Sequence, residues 1–96
     1  MLSVYLVCYD IREPKRLRRV YKTMRGFGDH LQLSVFRCEL SDAGKVRMLA
    51  SLHGVLKKDE DQVLVFRMGP VDGTYTLQVD CIGTPYIPGE HEAIVV

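Results

Sequence analysis

The sequence predicts one α+β domain in which an antiparallel β-sheet carries two helices on one face. A chain of 96 residues fits a single domain, and 47% hydrophobic residues are enough for a globular core. The apolar residues follow strand and helix periods in the order strand, helix, extended segment, helix, strand, strand. A right-handed crossover after the first strand places that strand in the middle of the sheet.

The first strand and first helix have the clearest patterns. Leu2–Tyr9 is a nearly unbroken apolar, β-favouring run, which is typical of a strand covered on both faces, and Asp10 ends it. Pro14 suits the first turn of the following helix. We expect this helix to end in left-handed backbone at Gly26–Gly28. Its predicted buried face carries apolar residues at helical spacing: Leu17, Val20, Tyr21, Met24 and Phe27.

The middle of the chain predicts a second extended segment and a second helix. Asp29–Leu40 is long for one strand, so we expect it to bend or divide near Gln32–Ser34. Ser41 is the expected N-cap of the second helix. We interpret the acidic turn Asp59–Asp61 as a solvated connection, with a metal site as the alternative. The second helix should face the sheet with an apolar stripe: Val46, Met48, Leu49, Leu52, Val55 and Leu56.

The C-terminal third predicts two strands, at Gln62–Met68 and Tyr75–Ile82, with a turn at Gly69–Gly73 between them. The apolar tail Ala93–Val96 needs a sheet edge to cover, and the edge of a partner subunit meets that need. We therefore predict a ferredoxin-like domain over residues 1–82. Residues 83–96 are predicted to be a connector and a C-terminal strand that pairs with the partner subunit of a homodimer.

Charge is concentrated in the first helix. Residues 12–25 carry seven of the thirteen Lys and Arg residues and one acid, so this segment is +6 in a chain of net charge +1. Such clustering indicates a polyanion-binding surface, and a solvated helix face is the alternative. The candidate nucleic-acid contacts are Lys15, Arg16, Arg18, Arg19 and Lys22, joined by Arg37 on the second extended segment.

Several function classes are excluded by the absence of their motifs. The three cysteines form no CxxC or Cys/His cluster, which argues against zinc and against a disulfide framework. No phosphate-binding loop, dinucleotide fingerprint or nucleophile elbow occurs. The histidines are isolated, and only His30, after the glycine turn, could lie near a cleft. The apolar N-terminal run is too short to span a membrane, so we expect a soluble cytoplasmic protein.

Asp10 is the candidate metal ligand. Mg²⁺ takes oxygen ligands, usually one or two carboxylates with waters and phosphate oxygens. One copy offers few carboxylate ligands near Asp10, whereas a two-fold dimer would bring the Asp10 residues of both subunits to one cleft. The alternative is that Asp10 caps the first helix.

The ordered residues resemble the second CRISPR-associated protein, the small adaptation nuclease. The resemblance rests on five stretches: Cys8–Ile11, Lys15–Val20, Leu31–Phe36, Asp61–Phe66 and Cys81–Gly83. It implies a ferredoxin-like homodimer with exchanged C-terminal strands. It also implies a role in spacer acquisition with the first CRISPR-associated protein, an integrase.

The resemblance assigns roles to individual residues. It implies that Asp10 of both subunits is catalytic and binds Mg²⁺, with Mn²⁺ as an alternative, in a nuclease acting on single-stranded RNA or double-stranded DNA. Tyr9, Arg16, Arg18 and Phe36 match positions associated with the cleft. The chain departs from the family where His30 replaces a usual arginine and where Arg37 replaces a frequent glutamate.

Two functional hypotheses follow. The chain is a metal-dependent endonuclease that uses paired Asp10, or a non-catalytic dimeric adaptor that binds a DNA duplex and bridges integrase subunits. Both hypotheses predict salt-dependent binding of phosphates by the first helix. A small-molecule regulatory domain of similar topology is a more distant possibility, but nothing in the sequence builds its effector pocket.

Overall fold

A computed structural model describes residues 1–71 and 80–85 of the chain. Within them, four strands form one antiparallel sheet in the order β2-β3-β1-β4. The strands are β1 (Ser3–Asp10), β2 (Gly28–Gln32), β3 (Val35–Leu40) and β4 (Gln62–Pro70), and the helices are α1 (Pro14–Arg25) and α2 (Asp42–His53). The predicted α+β fold and the central position of β1 are confirmed.

The core lies between the helices and one face of the sheet. Tyr5, Val7 and Tyr9 of β1 point into this layer, because alternate residues of a strand share a face. Met24 of α1 and Met48 of α2 pack there and are fully buried. The two helices thus cover one side of β1, and neither of them covers its other side.

Glu13 caps α1. Its side chain accepts hydrogen bonds from the backbone N–H groups of Arg16 and Lys15, at 2.9 and 3.0 Å. The alternative in which Asp10 caps this helix is therefore wrong. The helix ends at Gly26 in right-handed backbone (φ −76°), so the expected left-handed glycine is also wrong at this position.

Gly28 allows a close approach between β2 and β3. A Cβ atom there would overlap the carbonyl oxygen of Arg37 and lie 2.5 Å from Sγ of Cys38. Strand β2 can approach β3 this closely only because residue 28 has no side chain.

The extended segment divides as predicted, with Leu33 and Ser34 between β2 and β3. Ser41 caps α2 by accepting a hydrogen bond from Gly44 N at 3.1 Å, as predicted. The stripe predicted for α2 is wrong at Val46, which is 66% exposed. Two residues along a helix rotate a side chain by about 200°, so Val46 faces away when Met48 faces the core.

The C-terminal predictions lie mainly outside the described residues. Residues 72–79 and 86–96 contain most of the predicted strand Tyr75–Ile82 and all of the tail Ala93–Val96. Asp80, Cys81 and Ile82 are exposed and are not part of a strand, so the predicted strand does not extend to Ile82.

Candidate functional site

Asp10 is the last residue of β1 and is exposed. It pairs with Gln62, the first residue of β4, so it stands at one end of the sheet. Strand alternation puts it on the face opposite the helices, together with Leu6 and Cys8. Within residues 1–71 and 80–85 its carboxylate accepts no hydrogen bond, and the residue is exposed, so this carboxylate is a candidate cation ligand.

The sheet face that carries Asp10 is apolar, and neither described helix covers it. Cross-strand pairing sets Leu6 opposite Phe66 and Cys8 opposite Leu64. Phe66 and Leu64 are 47% and 45% exposed. We call these four residues the open face. An exposed apolar surface on a central part of a sheet is typical of an interaction site.

A single copy offers a divalent cation an incomplete set of ligands. The described residues contain no group of three or more His, Cys, Asp or Glu side chains that could hold a metal ion. The one accessible carboxylate of Asp10 is compatible with Mg²⁺, which keeps several waters and uses few protein ligands. The residues present therefore fit a metal shared with another carboxylate or with phosphate, and not a site built within this chain alone.

Four of the exposed cations of α1 lie together on its outer surface. Lys15, Arg18, Arg19 and Lys22 are separated by three, four and seven residues, and this spacing puts them on one side of the helix. The buried residues Val20 and Met24 are on the opposite side. We call these four side chains the cationic face. At about 1.5 Å per residue it extends about 10 Å along the helix axis, enough to contact more than one phosphate of a nucleic-acid strand.

Arg16, predicted to contact nucleic acid, is bound within the chain. Its Nε donates a hydrogen bond to Oδ2 of Asp61 at 2.8 Å, and its Nη2 donates to Oε1 of Glu60 at 3.0 Å. The guanidinium keeps the pKa of Asp61 well below its usual range, and Asp61 in turn raises the pKa of Arg16. The structure therefore separates Arg16 from the other candidate contacts of α1.

Asp61 is the residue that sequence reasoning missed. Its side chain is fully buried, so the interpretation of Asp59–Asp61 as a solvated connection is wrong for this position. It also accepts hydrogen bonds from the backbone N–H groups of Arg12 and Lys57, both at 3.0 Å. The one available signal was the charge excess of the first helix, which requires acidic partners somewhere in the chain.

Tyr9 and Phe36 lie in the core behind the end of β1. Their rings stack with centroids 6.2 Å apart, and Phe36 is fully buried. The Tyr9 hydroxyl donates to the carbonyl of Leu33 at 3.4 Å, and burial raises the pKa of Tyr9 to about 12. Both residues support the strand that carries Asp10 and do not line a surface cleft.

His30 and Arg37 are on opposite sides of the sheet. The His30 ring is buried, with its centroid 5.0 Å from both Tyr21 and Phe36. Arg37 pairs with Leu6 across the strands, so it lies on the side of Asp10. Its Nη1 is 2.7 Å from Oε2 of Glu39. Arg37 is thus near the open face and away from the cationic face.

The family model for CRISPR associated protein Cas2 matches residues 2–72 of the chain. The chain belongs to the Cas2 family. The CRISPR-associated endoribonuclease Cas2 of Geobacter sulfurreducens is 40% identical over 96 residues and covers all of both chains. The CRISPR-associated endoribonuclease Cas2 1 of Rhodospirillum rubrum is 37% identical over 92 residues, 96% of this chain and 89% of the relative.

Solved Cas2 structures share the fold. Streptococcus pyogenes Cas2 aligns with a TM-score of 0.66 at 27% identity, covering 83% of this chain and 99% of that one. A second Cas2 crystal structure gives 0.72 at 26% identity, covering 91% and 95%. The recognition made from the residues is therefore confirmed. Among the described residues, no helix has the length and apolarity to cross a membrane.

Proposed function

We propose that the chain is a dimeric CRISPR adaptation protein that acts with the integrase in spacer acquisition and has metal-dependent endonuclease activity on DNA or RNA. The observation that carries this proposal is Asp10, an accessible carboxylate at the end of an uncovered apolar sheet face. The endoribonuclease names of the two relatives support a phosphodiester substrate.

A second copy of this chain is the proposed occupant of the open face. The face is apolar at Leu64 and Phe66 and has both charges of the Arg37–Glu39 pair beside it. A surface with apolar and oppositely charged parts can be complementary to itself across a two-fold axis. Residues close to a two-fold axis approach their own copies, so an axis at this end of the face would bring Asp10 to Asp10 of the partner subunit. Exchange of the C-terminal strands would add to this interface.

In the proposed chemistry, the Asp10 end of the open face binds the metal and the cationic face binds the nucleic acid. The two Asp10 carboxylates of the dimer would together hold one Mg²⁺, with Mn²⁺ as an alternative. The bound metal would polarise a phosphate oxygen and lower the pKa of a bound water. The cationic face would bind the backbone of the same nucleic acid through Lys15, Arg18, Arg19 and Lys22. Arg37, on the side of Asp10, would neutralise phosphate charge near the metal.

The second candidate function is a non-catalytic adaptor that binds a DNA duplex and bridges integrase subunits. It is favoured by the absence, in residues 1–71 and 80–85, of any cluster of metal-binding side chains around Asp10. The adaptor needs the dimer and the cationic face, but it does not need Asp10.

Asp10→Ala separates the two functions, and Asp59→Ala, which removes an exposed acid elsewhere, is the control. Cleavage of duplex DNA and single-stranded RNA is measured with Mg²⁺ and with Mn²⁺, and integration is measured with the integrase present. We expect Asp10→Ala to abolish any cleavage while integration continues. Cleavage that survives in Asp10→Ala refutes the metal role. Integration that is lost while DNA binding persists refutes the adaptor role.

A further inference from the structure

The side chain of Asp61 joins the turn after α2 to the loop after β1 and to α1, which lie 49 and 45 residues away in the sequence. Its Oδ1 accepts from Arg12 N at 3.0 Å, just after β1, and its Oδ2 accepts from Lys57 N at 3.0 Å, just after α2. Both oxygens also accept from Arg16 of α1, from Nε at 2.8 Å and from Nη2 at 3.2 Å. Four charge-assisted hydrogen bonds to one fully buried carboxylate hold these segments in a single arrangement.

Two features connect Asp61 with Asp10. Arg12 is two residues after Asp10 along the chain. Gln62, the residue next to Asp61, is the partner of Asp10 across β1 and β4. The Asp61 carboxylate therefore holds the backbone two residues beyond Asp10, and Asp61 itself precedes the residue that pairs with Asp10 across the strands.

We propose that Asp61 is a positioning residue, which sets the direction of the Asp10 carboxylate through Arg12 and Gln62. The metal role of Asp10 in this proposal rests on the proposed function. Arg16 neutralises the buried charge of Asp61 and so belongs to this support, not to the cationic face. A ligand held in one direction by surrounding hydrogen bonds loses less freedom when it binds a metal, and so binds that metal more tightly.

The neighbouring residue Glu60 provides a matched control. Glu60→Gln removes the same charge as Asp61→Asn, but within residues 1–71 and 80–85 the Glu60 carboxylate pairs with the side chains of Arg16 and Lys57. It does not contact the backbone of residue 12. A second control, Leu52→Ala, lowers stability through a buried position of α2 and leaves every hydrogen bond of Asp61 in place.

The first measurement is amide hydrogen exchange in the complete protein. In the wild type, the N–H of Arg12 should exchange as slowly as the amides of β1, and in Asp61→Ala it should exchange at least about tenfold faster. Asp61→Asn, which keeps one acceptor oxygen, should restore part of this protection. Glu60→Gln and Leu52→Ala should leave the ratio of Arg12 exchange to β1 exchange unchanged. An unprotected Arg12 N–H in the wild type overturns the proposal even if Asp61→Ala does not fold.

The second measurement is the affinity for Mn²⁺, read from paramagnetic broadening of the Tyr9 amide. We expect the dissociation constant for Mn²⁺ to rise on the order of tenfold in Asp61→Ala, because losses of this size are usual when a residue that orients a metal ligand is removed. Glu60→Gln and Leu52→Ala should stay within about twofold of the wild type. Equal affinities in Asp61→Ala and Glu60→Gln overturn the proposal. If wild-type Tyr9 is not broadened, the proposed metal site has failed, and hydrogen exchange alone decides whether Asp61 positions Asp10.

Discussion

Replacing two of the four residues of the cationic face should halve the contribution of this face to the salt dependence of duplex binding. In Arg18→Ala/Arg19→Ala, two members of the cationic face remain, and both substituted residues are exposed. Each phosphate contact contributes about −0.9 to the slope of log K against log salt. The four residues of the cationic face of one protomer thus contribute a slope of about −3.6, and the two that remain in the variant contribute about −1.8.

These slopes predict a large difference over an ordinary salt range. With one protomer on the duplex, the affinity between about 50 and 200 mM salt should fall roughly 150-fold in the wild type and roughly 12-fold in the variant. The ratio of the slopes stays at one half whether one or two protomers contact the duplex, because both slopes scale together.

Fluorescence anisotropy with a short labelled DNA duplex measures these affinities directly. Arg47→Ala is the matched control, since Arg47 is an exposed cation of α2 outside the cationic face. It should leave the slope close to the wild-type value. An unchanged slope in the double variant, or an equal reduction in Arg47→Ala, refutes the assignment of phosphate binding to the cationic face.

Three further expectations concern assembly, packing and pH. Phe66→Glu should convert the proposed dimer to monomer in sedimentation experiments, because it charges the open face, whereas Leu33→Glu, at a position that is 61% exposed between β2 and β3, should not. Gly28→Ala should lower the free energy of unfolding by about 1–3 kcal/mol in urea denaturation, since its Cβ would overlap the backbone of β3. The lowered pKa of Asp61 contributes stability above its unfolded pKa of about 4, and this stability is lost as pH falls through the folded value. Asp61→Asn should therefore be less stable than the wild type at neutral pH and lose less on acidification.

Each of these expectations has an outcome that contradicts it. A dimer that persists in Phe66→Glu excludes the open face as the interface. Gly54→Ala, where a Cβ would be 3.5 Å from the nearest atom, is the packing control. If Gly28→Ala and Gly54→Ala lower the free energy of unfolding equally, the predicted overlap of a Cβ at residue 28 with the backbone of β3 is contradicted. Parallel stability curves between about pH 5 and pH 2 for the wild type and Asp61→Asn would show that Asp61 does not carry the acid sensitivity.

The periodic parts of the sequence were sufficient to predict most of the fold. The unbroken apolar run of β1 predicted a central strand, and the spacing of Val20 and Met24 predicted the buried face of α1, as the structure confirms. The ordered set of short stretches that begins with Cys8–Ile11 also indicated the family. Such features are readable without coordinates because burial repeats with the period of the strand or helix itself.

The open face and the position of Arg16 depended on the tertiary structure. Arg16 and Arg18 look equivalent in the sequence, yet Arg16 is bound to Asp61, 45 residues away, and Arg18 is exposed. Composition and spacing do not report which distant acid meets which cation. The sequence by itself determined the order of the strands and helices and the set of candidate site residues. Packing decided which of those residues are used within the fold and which remain accessible, because a buried charge must find its partner wherever the chain brings one within hydrogen-bonding distance.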